Sequence, residues 1–312
     1  MERCNLRCTY CMPEEGIQLR PKEEFMRSEE ILFLAKSFVD LGVKKIRLTG
    51  GEPLIRKDAA NIINSLGQLP VELTITTNGI LVDRFIDDFK KAGIRSINVS
   101  VDSLIPSRMK EITRRDYFDR IMSNIDLLNQ EGFIIKINVV VMKDVNDDEI
   151  EDFIYWSIDK PFHIRFIEFM PFDGNSWDWS KGVSYQEIVL KANQKFGSDK
   201  IIKLDDQPND TAKNFKVEGA LGTFAVISSV TNPFCDSCNR LRLTADGKIK
   251  NCLFSNEETD LLSALRNGNN IHELIASSVI NKKAVRSGMN SFKQFSNPES
   301  HRENRSMTTI GG

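Results

Sequence analysis

The sequence predicts an α/β protein: a partial (β/α) barrel over residues 1–170, followed by a smaller, mainly β region with helices over 171–312. Three observations carry this. Between Ser28 and Met170 the apolar residues switch repeatedly between helical and strand spacing, the mark of parallel strands joined by helical crossovers. Polar residues gather where those strands should end: Gly50, Gly51 and Glu52, then Thr76, Thr77 and Asn78, then Ser100 and Asp102, then Glu168 and Met170. Past Met170 the periodicity weakens and turn residues interrupt short β-branched runs.

Taken in order, Ser28 caps a helix through "EEILFLAKSFVDLG", which Gly42 stops. "VKKIRLTGG" reads as a strand, "LIRKDAANIINSLGQL" as a helix and "VELTITTNG" as a second strand. "VDRFIDDFKKAG" is a helix, followed by the strand "SINVSVDS" and the helix "YFDRIMSNIDLLNQEG". The strand "IIKINVVVM", a helix opening at "NDDEIEDFIYW" and the strand "FHIRFIEFM" complete five strands. Such units curve into a full or partial TIM-like barrel, whose chemistry sits at the carboxyl ends of the strands. Beyond them come the loop "MPFDGNSWDWSKGVS", the helix "YQEIVLKANQKFG", the strand "GTFAVISSV" and the hairpin "LRLTADGKIKNC". Asp246-Gly247 is the turn signal of that hairpin. Two short helices and a polar tail close the chain.

The 312 residues are 40% hydrophobic and 28% charged with a net charge of −2, the balance of a soluble globular protein. That charge gives no reason to expect nucleic acid or a membrane surface as partner. The most apolar run, "FIIKINVVVM", is too short to span a bilayer and carries Lys136. The start lacks the apolar core of a secretory signal, so the expected location is cytoplasmic. All six cysteines fall in two triplets, Cys4, Cys8 and Cys11, and Cys235, Cys238 and Cys252. Disulfides suit small secreted domains, and buried structural cysteines scatter through core strands. These stand instead among Asn, Arg, Asp and Ser, which favours metal or cluster ligation.

A tetrahedral zinc site wants four ligands, usually from paired C-x2-C knuckles. Three thiolates can instead hold three irons of a 4Fe–4S cube and leave the fourth open to a small molecule. "CNLRCTYC", spaced C-x3-C-x2-C, resembles the signature of the radical S-adenosylmethionine (SAM) superfamily, down to Tyr10 before the third cysteine. "GGEP" at residues 50–53 resembles the loop that receives the methionine amine of SAM there, with Glu52 a carboxylate suited to an ammonium. The resemblance implies that Tyr10, Gly51, Ser100 and Met170 lie at the SAM pocket.

The second triplet narrows the resemblance. "NPFCDSCNRLRLTADGKIKNCLF", together with "KKIRLTGGEPLIR", "TTNG", "INVSVDS", "KINVVVMKDVND", "IRFIEFMPF" and a terminal "IGG", resembles the GTP 3′,8-cyclase family along nearly the whole chain. By that resemblance Cys235, Cys238 and Cys252 hold a second 4Fe–4S cluster whose open iron receives the guanine of GTP. Arg240 and Arg242, which alternate on a strand beside it, serve catalysis and GTP binding together with Leu241. Arg47, Thr76 and Lys136 hold the substrate, and Arg165 is a further basic candidate. A zinc knuckle at the second triplet would need a fourth ligand, and the nearest downstream histidine is His272.

The resemblance implies two 4Fe–4S clusters and SAM as cofactors. It implies hydrogen removal from the ribose 3′ carbon of GTP, closure onto guanine carbon 8, and 3′,8-cyclo-7,8-dihydro-GTP as product. An external electron donor, a downstream cyclic pyranopterin monophosphate synthase and a homodimer are the expected partners. In the family a strand and a GTP-contacting arginine precede the first motif, whereas here only Met1, Glu2 and Arg3 precede Cys4. The sequence therefore expects the first barrel strand to be missing. Two alternatives stay open: an inactive remnant of the cyclase, and a radical SAM peptide or sulfatase maturase. The tail "SMTTIGG", ending in Gly311 and Gly312 as the family does, is expected to reach the active site.

Overall fold

In the computed structural model, which describes residues 2–12, 20–173, 175, 177–301 and 303–311, strands and helices alternate as the periodicity demands. They run α1 (Ser28–Asp40), β1 (Lys45–Leu48), α2 (Ala59–Leu66), β2 (Glu72–Thr77), α3 (Ile86–Lys91), β3 (Ser96–Ser100), α4 (Pro106–Thr113) and α5 (Phe118–Gln130). Then follow β4 (Ile134–Val141), α6 (Ile150–Trp156), β5 (His163–Glu168), α7 (Tyr185–Phe196), β6 (Ile201–Lys203), β7 (Lys213–Val217) and β8 (Thr223–Ile227). These eight strands form one sheet in the order β1-β2-β3-β4-β5-β8-β7-β6. β1 to β5 and β8 are parallel, and β7 and β6 turn back antiparallel at one edge.

Each strand has a greasy side and a polar side, because alternate residues point to opposite faces. Ile75, Ile97, Val99, Ile137, Val139, Ile164, Phe166 and Phe224 pack outward against Ile63, Phe89, Ile125, Phe153 and Ile188 of the helices in one buried cluster. Burying such a side chain contributes about 1.5–3 kcal/mol, so this jacket between sheet and helices holds the barrel together. The other face carries Arg47, Thr74, Thr76, Asn98, Ser100, Lys136, Asn138, His163 and Arg165, in parallel register across β1 to β5.

A small sheet, in the order β11-β10-β9, is built from β9 (Arg242–Leu243), β10 (Lys248–Lys250) and β11 (Thr259–Asp260), followed by α8 (Leu261–Arg266) and α9 (Ile271–Ile280). Gly247 takes the left-handed φ of 72° that the β9–β10 turn requires. Ile249, Leu261, Ile271 and Ile275 pack this unit onto Leu34 and Phe38 of α1. No helix among the described residues is long and apolar enough to cross a membrane.

Two local expectations are corrected and one helix is added. Ser28 is the first helical residue rather than the cap; Arg27 caps α1, and its N–H donates to the Glu30 carboxylate at 2.8 Å. Arg240 lies outside β9, so it does not share a strand with Arg242. Helix α4 was not foreseen: "PSRMKEIT" buries only Met109, Ile112 and Thr113, too few for a clear helical stripe.

Candidate active site

Residues 2–12, which carry the first triplet, are stitched between two elements. The Glu52 N–H donates to the Arg3 carbonyl at 2.8 Å, while Arg7 N–H and Thr9 N–H donate to the Thr113 and Ile112 carbonyls at the end of α4, both at 2.9 Å. Gly51 is required for the first of these contacts, since a Cβ there would stand 2.3 Å from the Arg3 oxygen. Within the loop, Cys11 N–H and Met12 N–H donate to the Cys8 carbonyl, and Asn78 Nδ2 and Leu6 N–H reach the Cys4 sulfur at 3.9 and 3.4 Å. Residues 13–16, the end of this motif, and Gly312 lie outside the described residues.

All six thiols are unpaired and line a single cavity of about 290 Å³. Burial pushes the Cys4 thiol up, pushes Cys11 up to about 12, and raises Cys8 well above the ordinary range. The nearby charges of Asp102 and of the sister thiolates push the same way on Cys8 and Cys11. Crowded anions in a dry site are relieved by a bound cation, which is the chemistry of thiolate ligation. Among the described residues no three His, Cys, Asp or Glu side chains gather as a single-ion site requires. A four-iron cube takes its thiolates at separate corners, so an open triplet beside a cavity fits it.

The second triplet is assembled by the turn Cys235–Ser237 and by the residue two past β10. At Cys238 burial again pushes the thiol up, but the Arg240 N–H and the charges of Arg240 and Lys282 outweigh it and hold it below the ordinary value. Arg240 Nη2 lies 3.8 Å from that sulfur. His272, the one histidine weighed as a fourth zinc ligand, sits on α9 opposite Asp40 at 3.7 Å and does not line the cavity.

The rest of the wall is cationic. Arg47, Arg165, Arg240, Arg242 and Arg286 line it. Burial and then Arg47 hold Arg165 down to about 9; burial, Arg240 and Arg47 hold Arg242 down to about 10. Apart from Arg240, which meets the Cys238 sulfur, their hydrogen-bond partners are neutral: Arg165 Nε donates to Asn138 Oδ1 at 2.9 Å, Arg47 Nε to Thr74 Oγ1 at 3.4 Å, Arg286 to the Val230 carbonyl and Arg242 to the Gly311 carbonyl. Among the described residues no carboxylate forms an ion pair with any of these five arginines. Lys136 stands one step deeper on β4 than Asn138 and does not itself line the cavity; burial, Arg165, Lys45 and Arg47 hold it down to about 8. Leu241 also stays outside, packed with the cluster around Leu34 and Ile249. Tyr10, Gly51, Thr76, Ser100 and Met170 all line the cavity.

Two strand-end carboxylates turn away from it. Glu52 accepts from Asn78 N–H (2.7 Å), Thr77 Oγ1 (2.9 Å) and Leu54 N–H (3.0 Å), so it brackets loops instead of facing a ligand ammonium. Glu168 accepts from Val230 N–H, Thr231 N–H and Tyr185 N–H and does the same at the start of α7. Asp102 does face the cavity, accepts from Tyr10 Oη at 2.7 Å and is pushed up to about 6 by burial. Arg286 is a cavity residue that sequence reasoning missed. It is 6% exposed, has φ of 38°, donates to the Val230 carbonyl at 2.6 Å, stacks 4.3 Å over Phe295, and leaves Nε without a partner among the described residues. "AVRSGMN" offers no pattern that could have found it.

A barrel with a thiolate triplet over its mouth defines a class, and residues 1–156 match the Radical SAM superfamily. The fold agrees with Streptococcus suis SuiB bound to S-adenosylmethionine at a TM-score of 0.56 and 17% identity, over 84% of this chain and 60% of that one. Residues 162–287 match the family described as Molybdenum Cofactor Synthesis C. The chain is 45% identical to the mitochondrial GTP 3′,8-cyclase of Arabidopsis thaliana, over 100% of this chain and 79% of that protein. It is 42% identical to the GTP 3′,8-cyclase of Thermodesulfovibrio yellowstonii, over 100% of this chain and 95% of that one. Human molybdenum cofactor biosynthesis protein 1 is 45% identical across 95% of this chain, which spans 47% of the human protein. The chain belongs to the GTP 3′,8-cyclase family of radical SAM enzymes.

Proposed function

We propose that this chain converts GTP to 3′,8-cyclo-7,8-dihydro-GTP, the first step of molybdenum cofactor biosynthesis, with a 4Fe–4S cluster on each cysteine triplet. One observation carries the reading: both triplets and a set of arginines without carboxylate partners among the described residues face the same cavity. When bound, the reduced first cluster and SAM supply the 5′-deoxyadenosyl radical that takes hydrogen from the ribose. Everything else is placement, and falls to the protein.

Arg47, Arg165, Arg240 and Arg242 repel one another across the cavity, and a triphosphate is the anion that relieves them. Thr76 and Asn138 add neutral donors on the same inward face of the barrel. Tyr10, Gly51, Ser100 and Met170 border the first triplet's side and form the SAM pocket. The Cys235, Cys238 and Cys252 side receives the guanine, so the ribose spans the gap between the two triplets. Walls of Met170, Val140, Ile167 and Phe254 exclude water from that gap. The clusters need an external electron donor and a reducing compartment, here the cytoplasm. The product passes to a cyclic pyranopterin monophosphate synthase, and the enzyme works as a homodimer.

The test separates the two half-reactions. Arg240→Ala and Arg242→Ala should leave 5′-deoxyadenosine formation intact and cut cyclised nucleotide by about 10- to 100-fold, the worth of a charge-assisted hydrogen bond of ~1.5–3 kcal/mol. Anaerobic assays scoring the two products separately decide it. Equal loss of both would assign these arginines to SAM cleavage or to the fold.

A further inference from the structure

Helix α9 ends at Ile280, and Lys282 N–H folds back onto the Val279 carbonyl at 3.1 Å. From that fixed base the Lys282 ammonium reaches the second triplet. It donates to the Cys238 carbonyl at 2.9 Å and the Arg240 carbonyl at 3.0 Å, and lies 3.4 Å from the Cys238 sulfur. An ammonium has three donors, and all three are used on one short turn. The other arm of the triplet is tied to the same helix end, since Asn251 Nδ2, beside Cys252, donates to the Ser278 carbonyl at 2.9 Å. Among the described residues Lys282 forms no ion pair with a carboxylate, and the Cys238 sulfur is the side-chain atom it faces.

We propose that Lys282 is a positioning residue for the second cluster, holding the Cys238–Arg240 turn in place and raising the reduction potential of the cluster bound there. This rests on the reading that Cys235, Cys238 and Cys252 ligate a cluster. An added electron is favoured beside a fixed cation, and hydrogen bonds to ligand sulfurs move cluster potentials in the same direction. Because Lys282 also holds the Arg240 carbonyl, it sets the direction from which the Arg240 side chain enters the cavity. Lys283, the next residue, instead faces Glu257 at 3.1 Å, so the two neighbouring lysines have different tasks.

The experiment uses the full chain with Cys4, Cys8 and Cys11 changed to Ala, so that only the second cluster is observed. After anaerobic reconstitution, Lys282→Met and Lys282→Arg are compared with this parent by iron content and by redox titration followed by electron paramagnetic resonance. The expected result is iron retained in all three, with the Lys282→Met midpoint lower by about 59 mV. That shift is tenfold in the one-electron reduction equilibrium. The Lys282→Arg midpoint should stay near the parent value. Loss of iron from Lys282→Met with retention in Lys282→Arg would also support the proposal, through its positioning half. An unmoved midpoint in iron-loaded Lys282→Met overturns it, and so does loss of iron from both variants, since charge would then not be the operative property. A parent that binds no iron refutes instead the cluster reading beneath it.

Discussion

The guanidinium of Arg242 donates to the carbonyl oxygen of Gly311, so the chain's last described residue lies against a cavity wall built 69 positions earlier. Gly311 has a left-handed φ of 87°, and a Cβ on it would stand 3.1 Å from Thr49 Cγ2 and 3.4 Å from the Gly50 Cα. The approach is fixed upstream by Arg305, which forks onto Asp246 (2.8 and 2.8 Å) and Glu258 (2.6 and 2.7 Å).

Deleting Gly311 and Gly312 should therefore leave both clusters assembled and the fold intact while cyclisation falls by about tenfold or more, the loss of one charge-assisted contact of ~1.5–3 kcal/mol. Iron content, circular dichroism and product assays on the truncated chain check this. Normal turnover would show that the contact between Gly311 and Arg242 is not needed for cyclisation.

Gly51→Ala should act through backbone packing. Its new methyl meets the Arg3 carbonyl at 2.3 Å, so the strand-end loop and the cysteine segment must move apart. The expected outcome is selective loss of iron from the first triplet, read as roughly four irons per chain in place of eight. Full iron content with normal SAM affinity would show that the segment can yield at no cost.

Lys136 gives GTP binding a pH signature. Arg165 and His163 on β5, Lys45 and Arg47 on β1 and Glu72 on β2 surround it; burial first, then the neighbouring cations, hold it down to about 8. A bound triphosphate favours the charged ammonium and pulls its pKa back up, so binding takes up a proton once pH exceeds about 8. GTP affinity should then fall as pH rises from 8 toward 9, before Arg165 and Arg242 lose charge, by up to tenfold over that unit, with the slope flattened in Lys136→Arg. Equilibrium dialysis across that range tests it, and a flat profile would remove the triphosphate from this end of the barrel.

Replacing Cys235, Cys238 and Cys252 by Ala should also halve the iron, to roughly four per chain. Unlike loss of the first triplet, it should spare SAM cleavage. Zinc at these positions with GTP binding unchanged would contradict a second cluster.

How legible the molecule was in its sequence depends on what each part relies on. The strands of the barrel could be read because one face of each is a run of Ile, Val and Phe that must be buried. The two triplets could be read because thiols in polar turn sequence have little structural use. Helix α4 could not, since its task is to offer the Ile112 and Thr113 carbonyls to the first cysteine loop, and carbonyls leave no pattern. Glu52 misled for a related reason. A carboxylate beside two glycines suggests a ligand, while its actual partners are the N–H groups of Leu54 and Asn78. Lys282 and Arg286 were invisible because they arrive through tertiary packing from a stretch that reads as loop.

The division of each strand into an apolar outer side and a polar inner side has an evolutionary consequence. Stability is lodged in the jacket, where Ile97, Ile137, Ile164 and Phe166 meet the helices, and the proposed specificity in the lumen, where Thr76, Asn138 and Arg165 line the cavity. A lineage can therefore rewrite the lumen one residue at a time without first finding a compensating change in the jacket. The barrel is built to be inherited, while what it binds remains open to revision.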